Sequence, residues 1–186
     1  MKIGEEVFFA PGVTFVQLDL DGIELPGQYR RRVEGYYLEP AELLINAGLG
    51  FAAGLLTVAA IEAMSRLYFG PNRLHRVTNR DFRTFARHLL PSFAEHKTAD
   101  LLWRNYRNGL VHEGRLKEGC QFELGRQTTF DLSGPSPVVD PARLVAEVRA
   151  ALEQLVKEMN ESAPFRREMA KLLRREFRYE LSTFGL

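Results

Sequence analysis

The stretch LLINAGLGFAAGLLTVAAI, residues 43–61, decides how the chain folds, because it contains nineteen consecutive residues without a charge. Such a run is close to the ~20 apolar residues that span a bilayer. It also contains Asn46, Thr57 and three glycines, whereas membrane insertion is driven mainly by Leu, Ile, Phe and Val. No basic cluster follows it, since Glu62 comes first and Arg66 stands alone. We therefore expect a buried core helix rather than a membrane span.

The first helix is predicted to begin near Ala41 and to end at Leu67 or Tyr68. Pro40 suits the first turn of a helix, and Gly70-Pro71 would stop it. The three glycines weaken its first half by about 1 kcal/mol each relative to alanine. We expect another helix to pack closely against these glycines, and a kink would also accommodate them.

Apolar periodicity and capping residues predict four further helices. Thr78 is a good N-cap for the second helix, and Thr98 begins the third, which continues through DLLWRNYRNGLVH. Asp140 as N-cap opens the fourth helix, and Ser162 opens the fifth. The residues expected to face the core are Phe82, Phe85, Ala86 and Leu89 in the second helix, Leu144, Val148, Leu152, Leu155 and Met159 in the fourth, and Phe165, Met169, Leu172 and Leu173 in the fifth.

Two regions are β-prone. Residues 1–38 contain VFFA and TFVQLDL, and Asp21-Gly22 is a hairpin signal between apolar flanks. Residues 120–132, CQFELGRQTTFDL, contain two short β-prone runs around Gly125 that predict a second hairpin. The predicted fold is mainly α. A small N-terminal β arm at residues 1–38 leads into a helical bundle at residues 39–186, with a short β-hairpin after the third helix, in a single domain overall.

Charge and composition limit the partners and the compartment. The 186 residues carry a net charge of +1, which gives no global case for nucleic acid or an anionic membrane. Residues 71–117, however, contain ten Lys/Arg against four Asp/Glu, a net +6, which leaves −5 for the rest of the chain. The lone Cys120 excludes an intrachain disulfide, and MKIGEEVFFAPG lacks the regions of a signal peptide. We expect a cytoplasmic protein without membrane association.

Two features of the sequence resemble ligand-binding sites but lack the surrounding pattern that such sites require. GLGFAAG, residues 48–54, imitates the Gly-rich turn of a dinucleotide site, but its flanks are helical and no β-α-β unit follows. The four histidines include no pair at i, i+4 spacing and no H-E-x-x-H frame. We therefore expect neither a cofactor nor a metal.

RNYRNGLVHEG, residues 104–114, contains a set of polar groups suited to phosphate chemistry. Asn108 and His112 are four residues apart and would share a helix face with Arg104. Arg107 and His112 are five apart, about 140° around an ideal helix, so the long Arg107 side chain would have to reach across. Histidine exchanges a proton near neutral pH, arginine donates a fixed fork to phosphate oxygens, and asparagine can orient either group. The set suits phosphodiester cleavage.

A purely structural explanation of the same residues stays open. Gly109 would then be the C-cap of the third helix, with Arg104 and Arg107 as favourable charges in its last turn. His112 would be a polar residue of the following turn. Spacing alone favours this helix end over a site.

RNGLVH, residues 107–112, resembles the R-N-x-x-x-H form of the R-x4-6-H motif of the HEPN superfamily, the higher eukaryote and prokaryote nucleotide-binding domains. AAIEAMSRL, residues 59–67, in which Glu62 is embedded in a long apolar helix, is also similar to that family. The resemblance covers about residues 40–160. It implies a helical bundle in which the motif lies late.

The resemblance also implies a catalytic set and a mechanism. Many HEPN members are metal-independent endoribonucleases of toxin–antitoxin, phage-defence or RNA-processing systems. Arg107 would match the motif arginine, Asn108 the polar residue after it, and His112 the motif histidine. The RNA 2′-hydroxyl would attack the adjacent phosphate, with His112 in proton transfer and Arg107 stabilising the phosphorane. Glu62 and Tyr106 are candidate supporting residues.

The partners implied by the resemblance are RNA, a second copy of the chain with the motif at the interface, and an antitoxin or other protein. The excess positive charge of residues 71–117 would concentrate RNA, although a basic stripe is also the ordinary solvated face opposite a core. The second hypothesis, from a different class, is a non-catalytic HEPN-like module for dimerisation or protein interaction. The candidate RNA-binding residues are Arg80, Arg83 and Arg87 on the second helix, and Arg104.

Overall fold

A computed structural model describes residues 2–3, 6–68 and 79–185 of the chain. The architecture is mainly α with small β elements, as the sequence predicted. The helices are α1 (Leu25–Val33), α2 (Glu39–Asn46), α3 (Gly50–Tyr68), α4 (Asn79–Leu89), α5 (His96–Leu101), α6 (Pro141–Glu161), α7 (Ala163–Glu176) and α8 (Arg178–Thr183). The strands are β1 (Lys2–Ile3), β2 (Glu6–Ala10), β3 (Val13–Thr14), β4 (Gln121–Phe122), β5 (Phe130–Asp131) and β6 (Val138–Val139).

Some helical segments have turns wider than those of an α-helix. Glu34–Leu38 joins α1 to α2 in this way, and Leu102–Arg107 and Gly109–Glu113 extend α5. In these turns a backbone N–H donates to the carbonyl five residues earlier instead of four. Such bonds run from Glu39 to Glu34, from Asn108 to Trp103 and from Gly114 to Gly109.

Helix α3 lies at the centre of the bundle. It packs against α2, α4, α6, α7 and the wide-turn segment Leu102–Arg107. Ile61 and Met64 of α3 are fully buried in one core cluster with Leu102 and Leu152. By length and hydropathy α3 could span a membrane, but half of its most apolar window is buried inside the protein. The buried half of this helix contributes to the core of the bundle.

The single first helix predicted from Ala41 to Leu67 or Tyr68 is wrong, because α2 and α3 are separate helices. Gly48 adopts a φ of +76°, in the left-handed region that favours glycine. The Leu49 N–H donates to the Leu44 carbonyl at 2.8 Å, which closes the end of α2. A backbone turn therefore interrupts the apolar stretch where sequence analysis allowed only for a kink.

The glycines of α3 do permit a close approach, but not by a helix. A Cβ built on Gly54 would lie 2.4 Å from the ring of Phe122 in β4. A Cβ on Gly50 would lie 3.3 Å from Leu124, just beyond the same strand. The small residues of α3 therefore accommodate the β-region that follows α5.

The extended arm predicted for residues 1–38 is only partly present. The hairpin forms between β2 and β3 at Pro11-Gly12, where Gly12 has a φ of +70°, and not at Asp21-Gly22. Residues from Leu25 onward are helical, with Pro26 in the first turn of α1. The Asp19 carboxylate accepts the Glu24 N–H at 3.3 Å, so the Asp-Gly segment leads into α1 instead of joining two strands.

The N-terminal strands belong to the core of the bundle. Phe9 and Phe15 are almost fully buried, and their ring centroids are 5.8 Å apart. Phe9 also lies 5.7 Å from the ring of Phe177, which follows α7. These aromatic contacts join the first and last parts of the chain in a single hydrophobic cluster.

The hairpin predicted in residues 120–132 is wrong in its pairing. Strands β4 and β5 do not pair with each other. Each pairs with β6, β4 in parallel and β5 antiparallel, so the order is β4-β6-β5. Asp140 organises the segment, because its carboxylate accepts the Arg126 N–H at 2.8 Å and its own N–H donates to Thr129 at 2.9 Å.

The remaining helix predictions are confirmed within the described residues. The Asp140 and Ser162 side chains cap α6 and α7, and α4 buries Phe82, Phe85, Ala86 and Leu89. The third helix starts at His96, two residues before the predicted Thr98. Helix α8 was not predicted. The proposed N-cap Thr78, the stop at Gly70-Pro71 and the histidine His75 lie outside the described residues.

We predict opposite effects for alanine at two helical glycines. Gly54→Ala should lower the free energy of unfolding by about 1–3 kcal/mol, because the new methyl group overlaps the Phe122 ring. Gly27→Ala should raise it by about 0.5–1 kcal/mol, because no atom lies within 4 Å and alanine favours the helix. Urea unfolding followed by circular dichroism measures both, and equal stability of the two variants would contradict the packing described for α3.

Candidate functional site

The helix that begins at His96 continues to Glu113 and carries the RNGLVH motif in its interior. Gly114, with a φ of +66°, ends this helix and donates to the Gly109 carbonyl. The proposal that Gly109 is the C-cap is therefore wrong. The motif does not lie across a helix end, and the arginines are not last-turn charges placed only to favour a terminus.

Gly109 is required by the chain that folds back over it. A Cβ at this position would lie 2.4 Å from the Arg115 carbonyl oxygen. The returning segment is held in place by the Lys117 N–H, which donates to the Asn105 carbonyl at 3.1 Å. The motif is thus enclosed on one side by residues 115–117.

The wide turns place Arg107 beside His112. The Arg107 Nη1 and His112 Nε2 atoms are 3.1 Å apart. On a regular α-helix residues five apart diverge by about 140°. Turns closed by bonds to the fifth residue contain more residues, so residues five apart lie at a smaller angle to each other. The backbone thus places together two groups that α-helical spacing would separate.

Glu62 of α3 fixes the Arg107 guanidinium. Nε donates to Oε2 and Nη2 donates to Oε1, both at 2.6 Å, in a two-point ion pair. The two side chains are 13% and 15% exposed, so the pair lies beneath the surface. The Trp103 ring covers the guanidinium at 4.6 Å from its centroid. Arg107 therefore has one orientation, set by an element distant in sequence.

The Glu62 carboxylate is kept ionised by its arginines. Burial raises its pKa, but the hydrogen bonds and charges of Arg107, and then of Arg66, outweigh burial and hold that pKa below the ordinary value of 4.5. Arg66 Nη2 lies 3.3 Å from Glu62 Oε1. Glu62 is therefore a structural anion at neutral pH.

Asn108 and His112 accept hydrogen bonds from the other end of the Arg107 guanidinium. Nη1 donates to Asn108 Oδ1 at 3.1 Å as well as contacting His112 Nε2. Because a guanidinium only donates, His112 Nε2 is the acceptor in this contact, and the ring proton is on Nδ1. Four of the five guanidinium N–H groups then have acceptors among the described residues, and one N–H on Nη2 remains.

The two ends of the cluster formed by Glu62, Arg107 and His112 differ in their exposure to solvent. His112 is exposed, as are Val111 and Glu113 on either side of it. Arg107 is almost enclosed by Glu62 and Trp103. An incoming molecule therefore meets the imidazole first, with the guanidinium behind it.

Tyr106 lies away from this cluster. Its side chain is fully buried, and its hydroxyl contacts the carbonyl oxygens of Pro137 at 2.9 Å and Gln121 at 3.2 Å. Burial raises its pKa far above the ordinary value for tyrosine. Tyr106 connects the helix to strands β4 and β6, which is a structural role.

The four candidate RNA-binding arginines divide into two pairs. Arg83 and Arg104 both form ion pairs with Asp100, the latter at 2.9 Å. Arg80 and Arg87 are exposed on α4. Asp100 offsets one of these four positive charges, and none of the four arginines contacts Arg107 or His112 among the described residues.

Three residues of the site were missed by sequence analysis. Trp103 precedes the motif by four positions, a spacing that could have suggested its place over Arg107. Arg66 follows Glu62 by four positions, as an ion pair on a helix requires. Asn105 is buried and donates to Glu118 at 3.0 Å, and no signal in the sequence indicates this contact.

In residues 6–68 and 79–185 no three His, Cys, Asp or Glu side chains come together as metal ligands. A scan against protein-family models and searches of curated proteins and of solved structures found no match to this chain. The resemblance to HEPN domains therefore stays a prediction based on the motif and on the long apolar helix.

We predict that Glu62→Gln destabilises the fold in a pH-dependent way. It should lower the free energy of unfolding by about 3 kcal/mol at neutral pH, because Arg107 loses its buried counter-charge. The folded pKa of Glu62 is depressed, so the stabilisation is present above its ordinary pKa and is lost as pH falls through the folded value. Urea titrations at several pH values should show the two proteins converging in acid.

Glu176→Gln is the matched control for this prediction. Glu176 pairs with Arg66 at 3.0 Å, but its side chain is 44% exposed. An exposed pair contributes about 0–1 kcal/mol, so this variant should stay close to the wild type. Equal destabilisation by the two substitutions would contradict a special role for the Glu62–Arg107 pair.

Proposed function

We propose that the chain is a metal-independent endoribonuclease that acts through Arg107 and His112. The observation that carries the proposal is the 3.1 Å contact between Arg107 Nη1 and His112 Nε2 at an exposed position. A proton acceptor and a phosphate ligand thereby stand side by side, which is the minimum set for attack on a phosphodiester. The resemblance of RNGLVH to the HEPN motif supports the same residues.

The chemical step follows from these groups. The 2′-oxygen of a ribose forms a bond to the adjacent phosphorus while its proton passes to His112 Nε2. The bond from phosphorus to the 5′-oxygen breaks, and that oxygen takes a proton from solvent or from the imidazolium. The products are a 2′,3′-cyclic phosphate and a 5′-hydroxyl.

Binding of the RNA phosphate would free His112 Nε2 to accept the 2′ proton. In the free protein His112 Nε2 accepts from Arg107 Nη1 and is occupied. A phosphate oxygen is a stronger acceptor than an imidazole, so it would take over Nη1 and also meet the remaining N–H on Nη2. His112 Nε2 would then be free to accept the 2′ proton. Glu62 holds the guanidinium during this exchange.

The biological role that we propose is based on the family resemblance. A toxin or phage-defence nuclease, located in the cytoplasm and restrained by an antitoxin or other protein, is the role that resemblance implies. Arg80 and Arg87, exposed on α4, are the positive side chains available to lead RNA toward the site. Asn108 would orient the guanidinium through its 3.1 Å contact with Nη1.

We predict that the purified protein cleaves a structured RNA in excess EDTA and leaves 2′,3′-cyclic phosphate ends. His112→Ala should reduce the rate by about 10²–10⁴-fold, the usual contribution of a general acid–base. His96→Ala is the matched control, because His96 is an exposed histidine at the start of the same helix. It should cleave like the wild type, and circular dichroism melts should show all three proteins folded.

Several outcomes would contradict this prediction. Equal rates for the wild type and His112→Ala would remove the histidine from the mechanism. Cleavage of an RNA with a 2′-deoxyribose at the scissile position would exclude the internal attack. Silence of the wild type across several RNAs, with all melts normal, would favour the second function below.

A non-catalytic dimerisation module is the second candidate, and exposed apolar side chains favour it. Leu43 on α2 is 70% exposed, Leu49 is 53% exposed, and Phe51 at the start of α3 is 49% exposed. These three positions lie close together in the chain, on either side of the turn between α2 and α3, and exposed apolar patches are typical of interfaces. A second copy of the chain is the expected occupant, as the HEPN resemblance also implies.

We predict that Leu43→Glu combined with Leu49→Glu converts a dimer to a monomer in sedimentation-velocity experiments. Two charges at the centre of an apolar interface should weaken association by about 100-fold or more. Ile23→Glu is the control, because Ile23 is 76% exposed on a separate segment and should leave association unchanged. A wild type that is monomeric at high concentration, or a double variant that still dimerises, would reject this surface as the interface.

A further inference from the structure

A pocket of about 300 Å³ opens between α1, α3 and α7. Its volume is at the lower end of the range for small-molecule sites. Most of its wall is apolar, from side chains that include Val58, Ala59, Leu67 and Leu173. Two residues of its wall, Tyr29 and Arg32, are polar groups that the fold leaves incompletely compensated.

Tyr29 has a buried hydroxyl without a hydrogen-bond partner among the described residues. The residue is 2% exposed and lies on the pocket wall. Burial raises the pKa of this phenol well above its ordinary value, so it is a neutral donor. A buried hydroxyl without a partner is unfavourable by about 1–3 kcal/mol, and such a group calls for an explanation.

Arg32 is a positive charge without a close carboxylate. Its guanidinium stacks on the rings of Phe177 at 4.6 Å and Phe9 at 5.0 Å, and Nη1 donates to the Phe9 carbonyl. No salt bridge of 4.0 Å or less joins Arg32 to a carboxylate among the described residues, and Glu180 acts on it only through longer-range attraction. Burial lowers the pKa of this guanidinium, and nearby tyrosines and Glu180 oppose that shift.

The other charged residues of the pocket are already paired. Arg66 contacts Glu62 at 3.3 Å and Glu176 at 3.0 Å, and all three line the wall. Glu62 is further neutralised by Arg107. Arg32 is then the remaining cation among the described residues of the wall, so a ligand with one negative charge would balance it and a second charge would have no partner.

We propose that this pocket binds a small monocarboxylate with an apolar or aromatic body. The carboxylate accepts from the Arg32 guanidinium and from the Tyr29 hydroxyl, so that it satisfies both groups at once. The body of the ligand packs against Val58, Ala59 and Leu173. A neutral ligand would leave the charge of Arg32 uncompensated, and the second charge of a phosphate would find no further unpaired cation among the described residues of the pocket wall.

The test of this pocket does not depend on RNA cleavage, because binding is measured on the full chain without RNA. Three probes with the same benzyl body test it by isothermal titration calorimetry at millimolar concentration: phenylacetate, the neutral phenylacetamide, and benzylphosphonate at a pH where its second proton is lost. Phenylacetate should bind about tenfold more tightly than either of the others. That ratio corresponds to one charge-assisted hydrogen bond.

Variants locate the site. Tyr29→Phe should weaken phenylacetate about tenfold and should not lower the melting temperature, because the lost hydroxyl has no partner in the free protein. Tyr36→Phe is the matched control. The Tyr36 hydroxyl contacts the Phe8 carbonyl at 3.4 Å, and Tyr36 is not part of the pocket wall, so binding should not change. Ala63→Leu places a larger side chain in the pocket and should abolish binding.

Any of the following results would overturn the proposal. One is the absence of a heat of binding for phenylacetate with the folded wild type, and another is binding of the amide or the phosphonate as tight as that of the carboxylate. Binding that survives both Tyr29→Phe and Ala63→Leu would place the ligand elsewhere on the protein.

Discussion

The Glu62–Arg107 ion pair joins the central helix to the helix that carries the motif, and much of the rest depends on it. Both charges lie beneath the surface, where each is tolerable only because the other is present. The two bonds of 2.6 Å fix the guanidinium plane, and the Trp103 ring covers it. This constraint orients Nη1 toward Asn108 and His112. The ion pair and the Trp103 ring therefore set the position of the Arg107 guanidinium beside the exposed His112.

The backbone contributes a second constraint, because on a regular helix Arg107 and His112 would diverge by about 140°. The wide turns bring residues five apart into contact, and turns of this kind are often found at functional sites. Gly109 permits the chain to return over this helix, since a side chain there would collide with the Arg115 carbonyl. The motif thus combines a rare helical geometry with a loop that closes over one small residue.

Glu62 also connects the two features of the molecule that invite ligands. Glu62 forms the ion pair with Arg107, and Glu62 also lines the pocket that contains Tyr29 and Arg32. The charges around it are arranged in pairs, Arg107 and Arg66 with Glu62, and Arg66 with Glu176. Arg32 is outside this network. Ion pairs give Arg66 and Arg107 a structural role, whereas Arg32 has no carboxylate within 4.0 Å among the described residues and can meet a small anion in this pocket.

The sequence by itself determined the helices whose boundaries depend on neighbouring residues. Asp140 and Ser162 accept backbone N–H groups two or three positions ahead, and the apolar face of α4 follows from its spacing. It also indicated Arg107, Asn108 and His112 as a set and Glu62 as a companion. Only the tertiary structure decided the break at Gly48, the pairing of β4 and β5 with β6, and the wide turns. These depend on contacts between residues far apart in the chain, such as Phe122 on Gly54 and Glu62 on Arg107, which no local pattern encodes.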